Sequence, residues 1–274
     1  SIIVPSHPLT DLALARRLER TEAESSAAFV EARAQLDPHI GATWTDVGGV
    51  YAMFDGPQSP ITQTFGLGLF DELGEAEFGE LEAFFEDRGA PVCHEVSPLI
   101  PAPVLELLNT RGYQPIEFSS VLVRPTDAAS DMSPNGVSVR RIGASEIDLW
   151  SRVSATGWSS ESPELADVVA GFGQVIGRAR GAHCFLAYRE ERPIAAAGLL
   201  LNTDVALLAG ASTIPDGRRQ GAQRALLDAR LRYAAAQGVQ LAMMVALPGS
   251  GSQRNAERHG FRVVYTRTKW QLRH

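Results

Sequence analysis

The stretch of sequence that decides the fold is Thr213-Ile-Pro-Asp-Gly-Arg-Arg-Gln-Gly-Ala-Gln-Arg-Ala-Leu-Leu227. It follows a strand-like apolar segment, passes through a Pro/Gly turn and enters an amphipathic helix at a glycine that arginines flank. A turn that leads into a helix presents several unpaired backbone N–H groups to one point. The helix dipole and the guanidinium groups of Arg218, Arg219 and Arg224 add positive potential there. The stretch therefore predicts a site for a phosphate-bearing ligand.

Gly221 stands at the point where this predicted helix begins. Because glycine has no side chain, a phosphate can approach the main chain closely there. We expect the helix start itself to accept a valine at this position, although the branched side chain would keep a phosphate away. The alternative interpretation of the whole stretch is an ordinary helix start with solvated arginines.

The second half of the chain alternates strand and helix patterns, which is typical of an α/β unit. The helix at Ser145–Ser154 is expected to be capped by Ser145. The predicted strands are Val137–Arg141, His183–Tyr188, Pro193–Leu201, Asp204–Thr213, Val239–Leu247 and Phe261–Leu272, and the predicted helices are Ser145–Ser154, Pro163–Ile176, Gln220–Gln237 and Ser252–His259.

The first half shows a similar order of elements. Its predicted helices are Leu9–Gln35, Glu77–Asp87 and Pro103–Asn109, and its predicted strands are Ala42–Thr45, Gly49–Phe54, Ile61–Leu69, Pro91–Val96 and Tyr113–Val123. The helix-ending Gly89 precedes Gly112-Tyr113 by nearly the same spacing as Gly238 precedes Gly260-Phe261. This agreement predicts a duplicated α/β unit.

Composition excludes several classes of protein. The chain has 274 residues, of which 45 % are apolar and 21 % charged, the balance of a globular protein that can bury a core. No apolar run reaches the roughly 18 residues of a membrane span, and the N-terminus lacks a signal-peptide pattern. We therefore expect a cytoplasmic protein without a membrane partner. Because Cys93 and Cys184 form no CxxC motif, a disulfide scaffold and a structural zinc site are excluded, and we expect no metal.

Charge divides the chain into two unlike halves. Residues 1–133 carry 7 Arg against 21 acidic residues, whereas residues 134–274 carry 18 basic residues against 11 acidic ones. This asymmetry predicts two domains, 1–125 and 137–274, joined by a small, polar linker at 126–136. A small anionic ligand suits the basic half, and the alternative is that the two halves pack through complementary charge. Nucleic acid is disfavoured as a partner because no aromatic residues interleave the arginines.

The loop Arg218-Arg219-Gln220-Gly221-Ala222-Gln223 resembles the pyrophosphate loop R/Q-x-x-G-x-G/A of the GNAT superfamily of N-acetyltransferases. Arg218 and Gly221 match its first two defined positions, whereas Gln223 replaces the final small residue and either crowds the loop or adds an amide donor. Thr213 and Pro215 match the Val-x-Pro that ends the family's fourth strand. The resemblance covers about residues 137–273.

The resemblance implies an α/β fold built from two GNAT-like units, each a mixed, mostly antiparallel sheet flanked by helices. In the second unit the family's fourth and fifth strands, here 204–213 and 239–247, would be splayed around the pantetheine of acetyl-CoA. The first unit is expected to be a degenerate copy in a tandem arrangement, because residues 70–77 carry four carboxylates and no arginine where the loop should lie. Such a segment repels phosphates.

The resemblance also implies which residues contact acetyl-CoA, the expected co-substrate. The pyrophosphate would lie on the loop, and backbone groups near the end of the fourth strand would polarise the thioester carbonyl, as an oxyanion hole does. The predicted cofactor-binding residues are Ser212, Thr213, Ile214, Arg218, Arg219, Gln220, Gly221, Ala222, Gln223, Arg224, Ser252 and Asn255.

Catalytic residues are the weakest part of the resemblance. The family often places a tyrosine acid four residues before the glycine of its Gly-Phe pair, and this chain has Ala256 there. The candidates for a proton donor are then Ser250, Ser252, Tyr265 or water. Glu161 and His183 are candidate bases, although a solvated acid and a packed histidine are the commoner roles of such residues.

The predicted function is transfer of an acetyl group to a primary amine of a small molecule or peptide. The alternative is a non-catalytic protein that binds or senses acyl-CoA, which the alanine at position 256 favours. A related transferase that uses aminoacyl-tRNA is disfavoured, because the cluster of Arg218, Arg219 and Arg224 is too small to bind a tRNA. A homodimer is possible, and the sequence does not identify the acceptor because fold does not determine function.

Overall fold

The structure of the protein is a computed structural model that describes residues 7–126, 136–159 and 163–274. It divides into two compact units. A terminal unit combines residues 7–124 with residues 243–274, and a central unit spans residues 125–242. These units differ from the predicted sequence halves, because the C-terminal segment groups with the first half of the chain. Most of the predicted linker lies outside the described residues.

The described residues form a succession of helices and strands, with short 3-10 turns at Pro38–Ile40, Ala144–Glu146 and Pro215–Gly217. In order they are α1 (Leu12–Leu36), β1 (Thr43–Val47), β2 (Val50–Phe54), β3 (Gln63–Phe65), α2 (Glu75–Glu86), β4 (Cys93–Val96), α3 (Ala102–Thr110), β5 (Tyr113–Pro125), β6 (Val137–Arg141), α4 (Ile147–Ser159), α5 (Pro163–Ile176), β7 (Ala182–Arg189), β8 (Arg192–Leu200), β9 (Val205–Thr213), α6 (Ala222–Ala236), β10 (Leu241–Ala246), α7 (Gly251–Arg258) and β11 (Arg262–Leu272).

The terminal unit contains a mixed sheet with strand order β1-β2-β3-β4-β11-β5. β3 and β4 are parallel, whereas β11 pairs antiparallel with β4 and with β5. The C-terminal strand therefore lies between two strands of the first half, and this pairing explains why the C-terminal segment belongs to the terminal unit. The core of the unit packs around the fully buried aromatic rings of Phe78 and Phe85.

The central unit contains an antiparallel sheet with strand order β9-β8-β7-β6. Tyr233 of α6 packs on His183 and Phe185 of β7, with ring centroids 4.9 and 5.8 Å apart. Trp150 of α4 lies against Gly198 of β8. Gly198 pairs with Cys184, which lies between His183 and Phe185 on β7. Because successive strand residues point to opposite faces, α4 and α6 cover opposite faces of this sheet.

The predicted repeat is visible in the order of elements. α2-β4-α3-β5 in the first half corresponds to α6-β10-α7-β11 in the second. Gly89, Gly112, Gly238 and Gly260 follow the four helices, and all have a positive φ between 66 and 89°. A left-handed residue is the commonest way to end a helix, and glycine adopts it without strain. The mixed α/β architecture predicted from the sequence is thus confirmed.

Two local predictions are wrong in detail. The predicted strand Ile61–Leu69 shortens to β3, because Gly66 and Gly68 adopt left-handed backbone and turn the chain. Ser145 does not cap a helix but lies inside the 3-10 turn that precedes α4. The carboxylate of Glu146 accepts the hydrogen bond from the Gly143 N–H at 3.1 Å instead.

A buried ionic cluster joins three elements of the terminal unit. The guanidinium of Arg267 on β11 lies 2.8 and 2.6 Å from the carboxylates of Glu19 and Glu22 on α1, and 3.0 Å from that of Glu95 on β4. Glu19 is fully buried, and burial raises its pKa to about 7 despite the attraction of Arg267. The cluster thus ties the long first helix to the C-terminal strand.

We predict that Glu19 makes the protein less stable as the pH rises from about 4.5 to about 7. Its pKa in the folded protein lies above its ordinary value, so the folded protein holds a proton that the unfolded chain has already lost. Urea unfolding across this pH range should show a free energy of unfolding that decreases, and Glu19→Gln should reduce this decrease. The exposed Glu80→Gln serves as control and should keep the wild-type dependence. Identical pH dependence in wild type and Glu19→Gln would contradict the prediction.

Candidate functional site

The predicted phosphate loop forms a tight turn between β9 and α6 of the central unit. Gly217 is buried, and a Cβ added there would lie 2.9 Å from Ile194, so the 3-10 turn packs closely on β8. Arg219 and Gly221 both have left-handed backbone, with φ of 61 and 81°. An arginine rarely adopts this conformation, and residues held in it cluster at functional sites.

The backbone conformation at position 221 requires glycine. A ligand would also need the space that the missing side chain leaves. It occupies the N-cap position of α6 at φ 81°. The expectation that this position accepts valine is wrong, because a β-branched side chain is strained in left-handed backbone. A substitution at Gly221 therefore disturbs the turn itself and cannot isolate an effect on a ligand.

The first turn of α6 has backbone N–H groups that can donate hydrogen bonds to a ligand. Gly221 provides no side-chain cap, and its carbonyl accepts the first helical hydrogen bond from Ala225 at 3.1 Å. The N–H groups of the first turn precede any helical acceptor, so they point out of the helix end. A helix of 15 residues adds a full dipole to this end. The arrangement is suited to an anion.

The equivalent helix in the terminal unit lacks this property. α2 begins at Gly74, whose N–H donates to the carboxylate of Glu77 at 2.8 Å. Hydrogen bonds from the backbone at Gly74 lower the pKa of Glu77, so this carboxylate is held at the helix start as an anion. The terminal unit thus supplies its own anion where α6 presents unfilled donors.

Arginines surround the turn before α6. Arg218 is exposed, and its Nη2 donates to the carbonyl of Gly157 in α4 at 3.1 Å. Arg219 is exposed, and Arg224 keeps 58 % of its side chain exposed. Three arginines therefore flank the start of α6 in sequence, with the Arg224 guanidinium 3.9 Å from the carboxylate of Asp228, and such groups favour an anionic ligand.

The remaining polar groups of the turn are tied to their neighbours. The Oε1 of Gln220 accepts a hydrogen bond from Arg189 at 2.9 Å, and its Nε2 donates to the carbonyl of Asp216. The carboxylate of Asp216 is paired with Arg192 at 2.8 Å. This pairing offsets the negative charge that stands closest to the loop in sequence.

Gln223, the departure from the family pattern, has a defined role. Its Nε2 donates to Thr213 Oγ1 at 2.7 Å, so it connects the first turn of α6 to the end of β9. Ile214 is buried beside this contact, and Ala222 is buried in the first turn. The amide of Gln223 thus makes a contact within the protein.

β9 contains an irregularity that the sequence analysis missed. Ala196 pairs with Ser212, but Gly198 pairs with Ala209, so Gly210 and Ala211 together face one residue of β8. Gly210 has φ 51°, and both bulge residues are exposed although they lie within a strand. A β-bulge removes a residue from the ladder and leaves backbone groups unpaired. An isolated glycine in a strand pattern is the signal that would have predicted it.

α4 approaches β9 closely at the same level. The Oγ of Ser212 donates to the carbonyl of Ser154 at 2.9 Å. A Cβ added to Gly157 would lie 2.4 Å from Ser212 Oγ, so glycine is required in this helix. Gly157 therefore has two roles, since its carbonyl also holds Arg218. Gly157 belongs to none of the sequence motifs, and its place as a glycine within a helical pattern is the signal that marks it.

The predicted residues of α7 lie in the terminal unit. Ser250 caps this helix by accepting from the Gln253 N–H at 3.2 Å. Ser252 and Asn255 are exposed, and the Asn255 carbonyl accepts from His259 Nδ1 at 2.7 Å. Ala256, at the position of the family's tyrosine, is buried with 4 % exposure. A larger side chain at position 256 would have to displace its neighbours.

Tyr265 lies on β11 and is 7 % exposed. Burial raises the pKa of its phenol, and the charge of Glu19 raises it further. A general acid works best when its pKa lies near the working pH, so this environment opposes proton donation by Tyr265. The tyrosine packs beside the ionic cluster of the terminal unit.

His183 lies in the central unit but away from the phosphate loop. It pairs with Leu199 of β8, whereas Thr213 pairs with Ala195. Four residues separate these levels on β8, which corresponds to about 13 Å along the strand. Burial and the charge of Arg141 both lower the pKa of His183. Glu161, the other candidate base, lies outside the described residues.

Among the described residues no helix is long and apolar enough to cross a membrane. The same residues contain no group of three or more His, Cys, Asp or Glu side chains placed to hold a metal ion. Cys93 and Cys184 are both buried free thiols.

Comparisons with known proteins agree with this geometry. The model of the acetyltransferase (GNAT) family matches residues 147–261, which include the loop, α6, β9 and α7. No curated protein matches the chain. Solved structures match over most of its length at low sequence identity, and such likeness shows the fold alone.

Three of these structures illustrate the range. A GCN5-related N-acetyltransferase from Kribbella flavida is 19 % identical, with a TM-score of 0.61 and coverage of 90 % of this chain and 96 % of the other. A functionally unknown protein from Staphylococcus epidermidis is 12 % identical, with a TM-score of 0.60 and coverage of 86 % and 96 %. A tandem GNAT protein from the clavulanic acid biosynthesis pathway is 13 % identical, with a TM-score of 0.54 and coverage of 81 % and 77 %.

The family match includes the turn that precedes α6. Residues 147–261 of this chain therefore match the acetyltransferase (GNAT) family, in a chain whose fold resembles GNAT N-acetyltransferases, a tandem one among them.

Proposed function

We propose that this protein transfers an acetyl group from acetyl-CoA to a primary amine of a small molecule or peptide. The observation that carries the proposal is the turn at Arg218–Gly221, which leads into the uncapped start of α6. The turn combines left-handed backbone and first-turn N–H donors with three exposed arginines nearby in sequence, and the family match supplies the class of reaction. The turn would hold the pyrophosphate of coenzyme A.

The bulge in β9 supports a role in the transfer step. The exposed backbone at Gly210 and Ala211 provides polar groups that the strand ladder does not use. An N–H group at this position would donate to the thioester carbonyl and stabilise the negative charge that develops on its oxygen. The neutral amine attacks the carbonyl carbon, the C–S bond breaks, and the thiolate of coenzyme A leaves.

The proton balance of this reaction does not need a tyrosine. The attacking amine loses one proton and the departing thiolate gains one, so water can carry the proton between them. Positioning the two reactants supplies much of the rate in such a reaction. We propose water as the proton carrier because Ala256 has no ionisable group and Tyr265 is enclosed.

A non-catalytic acyl-CoA-binding protein is the second candidate. The burial of Ala256 and Tyr265 favours it, since neither residue offers a proton donor at the surface. Incubation with acetyl-CoA and a panel of amines separates the candidates, because only the enzyme releases coenzyme A in proportion to the amine consumed. We further propose that the protein is cytoplasmic and does not bind nucleic acid. That it forms a homodimer stays a prediction.

We predict that coenzyme A binds with one equivalent per chain, at the turn before α6. Arg218→Glu combined with Arg219→Glu should lower the affinity at least about 100-fold, since two charge-assisted contacts become repulsive. Arg178→Glu, an exposed arginine at the end of α5 in the same unit, should leave the affinity unchanged. Calorimetry measures both quantities. Two equivalent sites per chain, or unchanged binding in the double variant, would refute the proposal.

We predict that Arg219→Gly separates stability from binding. Glycine relieves the left-handed backbone at φ 61°, so the free energy of unfolding should stay equal or rise by up to about 1 kcal/mol. The loss of the guanidinium should weaken coenzyme A binding about tenfold. Glu190→Gly is the matched control, because Glu190 is left-handed at φ 55° in the turn between β7 and β8. If both variants bind coenzyme A like wild type, Arg219 does not contact the ligand.

We predict that Tyr265→Phe lowers the turnover rate less than tenfold and keeps the shape of its pH profile. The phenol is buried and its raised pKa holds the proton. General acids contribute about 10²–10⁴-fold. A loss of that size, together with loss of the descending alkaline limb of the profile, would identify Tyr265 as the acid.

A further inference from the structure

Arg230 of α6 is a buried arginine that has no part in the phosphate loop. Its exposure is 4 %, and burial alone lowers the pKa of its guanidinium to about 10, so the group keeps its positive charge at neutral pH. No carboxylate of the described residues contributes to this shift. A buried charge without a carboxylate beside it is costly, and it persists where other polar groups of the protein bind it.

The guanidinium of Arg230 binds backbone carbonyl groups instead. Its Nε donates to the Leu226 carbonyl, one helical turn earlier, at 3.2 Å. Its Nη1 donates to the Gly198 carbonyl of β8 at 2.9 Å. The first contact lies within α6 and orients the side chain, whereas the second crosses to the sheet. Arg230 therefore connects α6 to a single residue of β8.

Gly198 lies at the edge of the bulge in β9. It pairs with Ala209, the residue that precedes the two bulged ones. The Ile194 carbonyl of β8 accepts from the Ile214 N–H at 2.9 Å, and alternate residues of an antiparallel strand direct their backbone groups to the same neighbouring strand. The Gly198 carbonyl, four residues further along β8, therefore also faces β9. The guanidinium thus binds β8 on the side of the bulge.

A second helix contacts β8 at the same level. Trp150 of α4 donates its indole N–H to the carbonyl of Ala197 at 3.3 Å. Ala197 is the residue of β8 that faces the two bulged residues of β9. Two successive carbonyls beside the bulge therefore accept from side chains of α4 and α6. These contacts fix β8 at the point where its ladder with β9 is interrupted.

We propose that Arg230 is a positioning residue for the acetyl transfer, an inference that rests on the proposed function. It holds the bulge of β9 so that a backbone N–H group there donates to the thioester carbonyl of acetyl-CoA. Its charge also acts at short range, because the paired residues Gly198 and Ala209 are about 5 Å apart and the bulge begins at the next residue. A cation enclosed in the protein interior stabilises the negative charge that develops on the carbonyl oxygen.

The test measures how strongly the protein polarises the carbonyl of bound acetyl-CoA in the absence of an amine. The probe is acetyl-CoA with ¹³C in the acetyl carbonyl, whose infrared band moves to lower frequency when an N–H group donates to the oxygen. Arg230→Met removes the charge and keeps most of the side-chain volume. Its band should return most of the way to the frequency of free acetyl-CoA. The calorimetric affinity for acetyl-CoA should stay within about threefold of wild type, because the turn before α6 is unchanged.

Arg232→Met is the matched control, since Arg232 lies on the same helix and is partly exposed. It should keep the wild-type band. Arg230→Lys keeps a positive charge but lacks the planar fork of donors, so its band should lie between those of wild type and Arg230→Met. If Arg230→Met does not fold, the lysine variant decides the question.

The possible outcomes separate this inference from the proposed function. A wild-type band in Arg230→Met, or in Arg230→Lys where the methionine variant does not fold, overturns the role of Arg230 and leaves the proposed function intact. A large loss of affinity for acetyl-CoA in Arg230→Met also overturns it, because the residue would then maintain the binding site as a whole. A wild-type protein that does not bind acetyl-CoA, or that leaves its band at the free frequency, contradicts the proposed function and this inference with it.

Discussion

The left-handed backbone at Gly221 is the constraint on which the candidate site depends. It starts α6 directly after the turn, with no side chain to occupy the first-turn donors. The same sharp turn brings Arg218 within reach of Gly157, and Gln223 within reach of Thr213. Strand, turn and helix are thereby held together by contacts inside the central unit. A different conformation at this one residue would move the arginines and the donors apart.

The two copies of the repeated element pattern differ at the start of one helix, which is α2 in the first copy and α6 in the second. The charged residues beside each helix start differ accordingly. In the terminal unit, Glu77 fills the start of α2 and Arg111 pairs with Glu75 and Glu82. Some carboxylates of residues 70–77 therefore stabilise the terminal unit in addition to repelling phosphate. In the central unit the corresponding helix start is open and flanked by arginine.

Local sequence patterns predicted the helices and strands, but they did not predict which strands pair with each other. The four helix-ending glycines and the bounds of β6 and α5 could be predicted because turn chemistry and periodicity are local. The position of β11 between β4 and β5 could not, since strand pairing depends on contacts distant in sequence. The left-handed Arg219 also gave no signal, because nothing in its residue type requires that backbone. The surroundings of Tyr265 arise from the ionic cluster, which joins α1 to β11 across most of the chain.

The most direct test of the central claim is the response of backbone amide resonances to acetyl-CoA. If the uncapped start of α6 holds the pyrophosphate, the amides of Gly221, Ala222, Gln223 and Arg224 should show the largest ¹⁵N and ¹H shifts, because they donate to the phosphate oxygens. The amides of residues 70–77, where Glu77 already occupies the start of α2, should not move. Unmoved resonances at 221–224, or shifts of equal size at 70–77, would contradict the account.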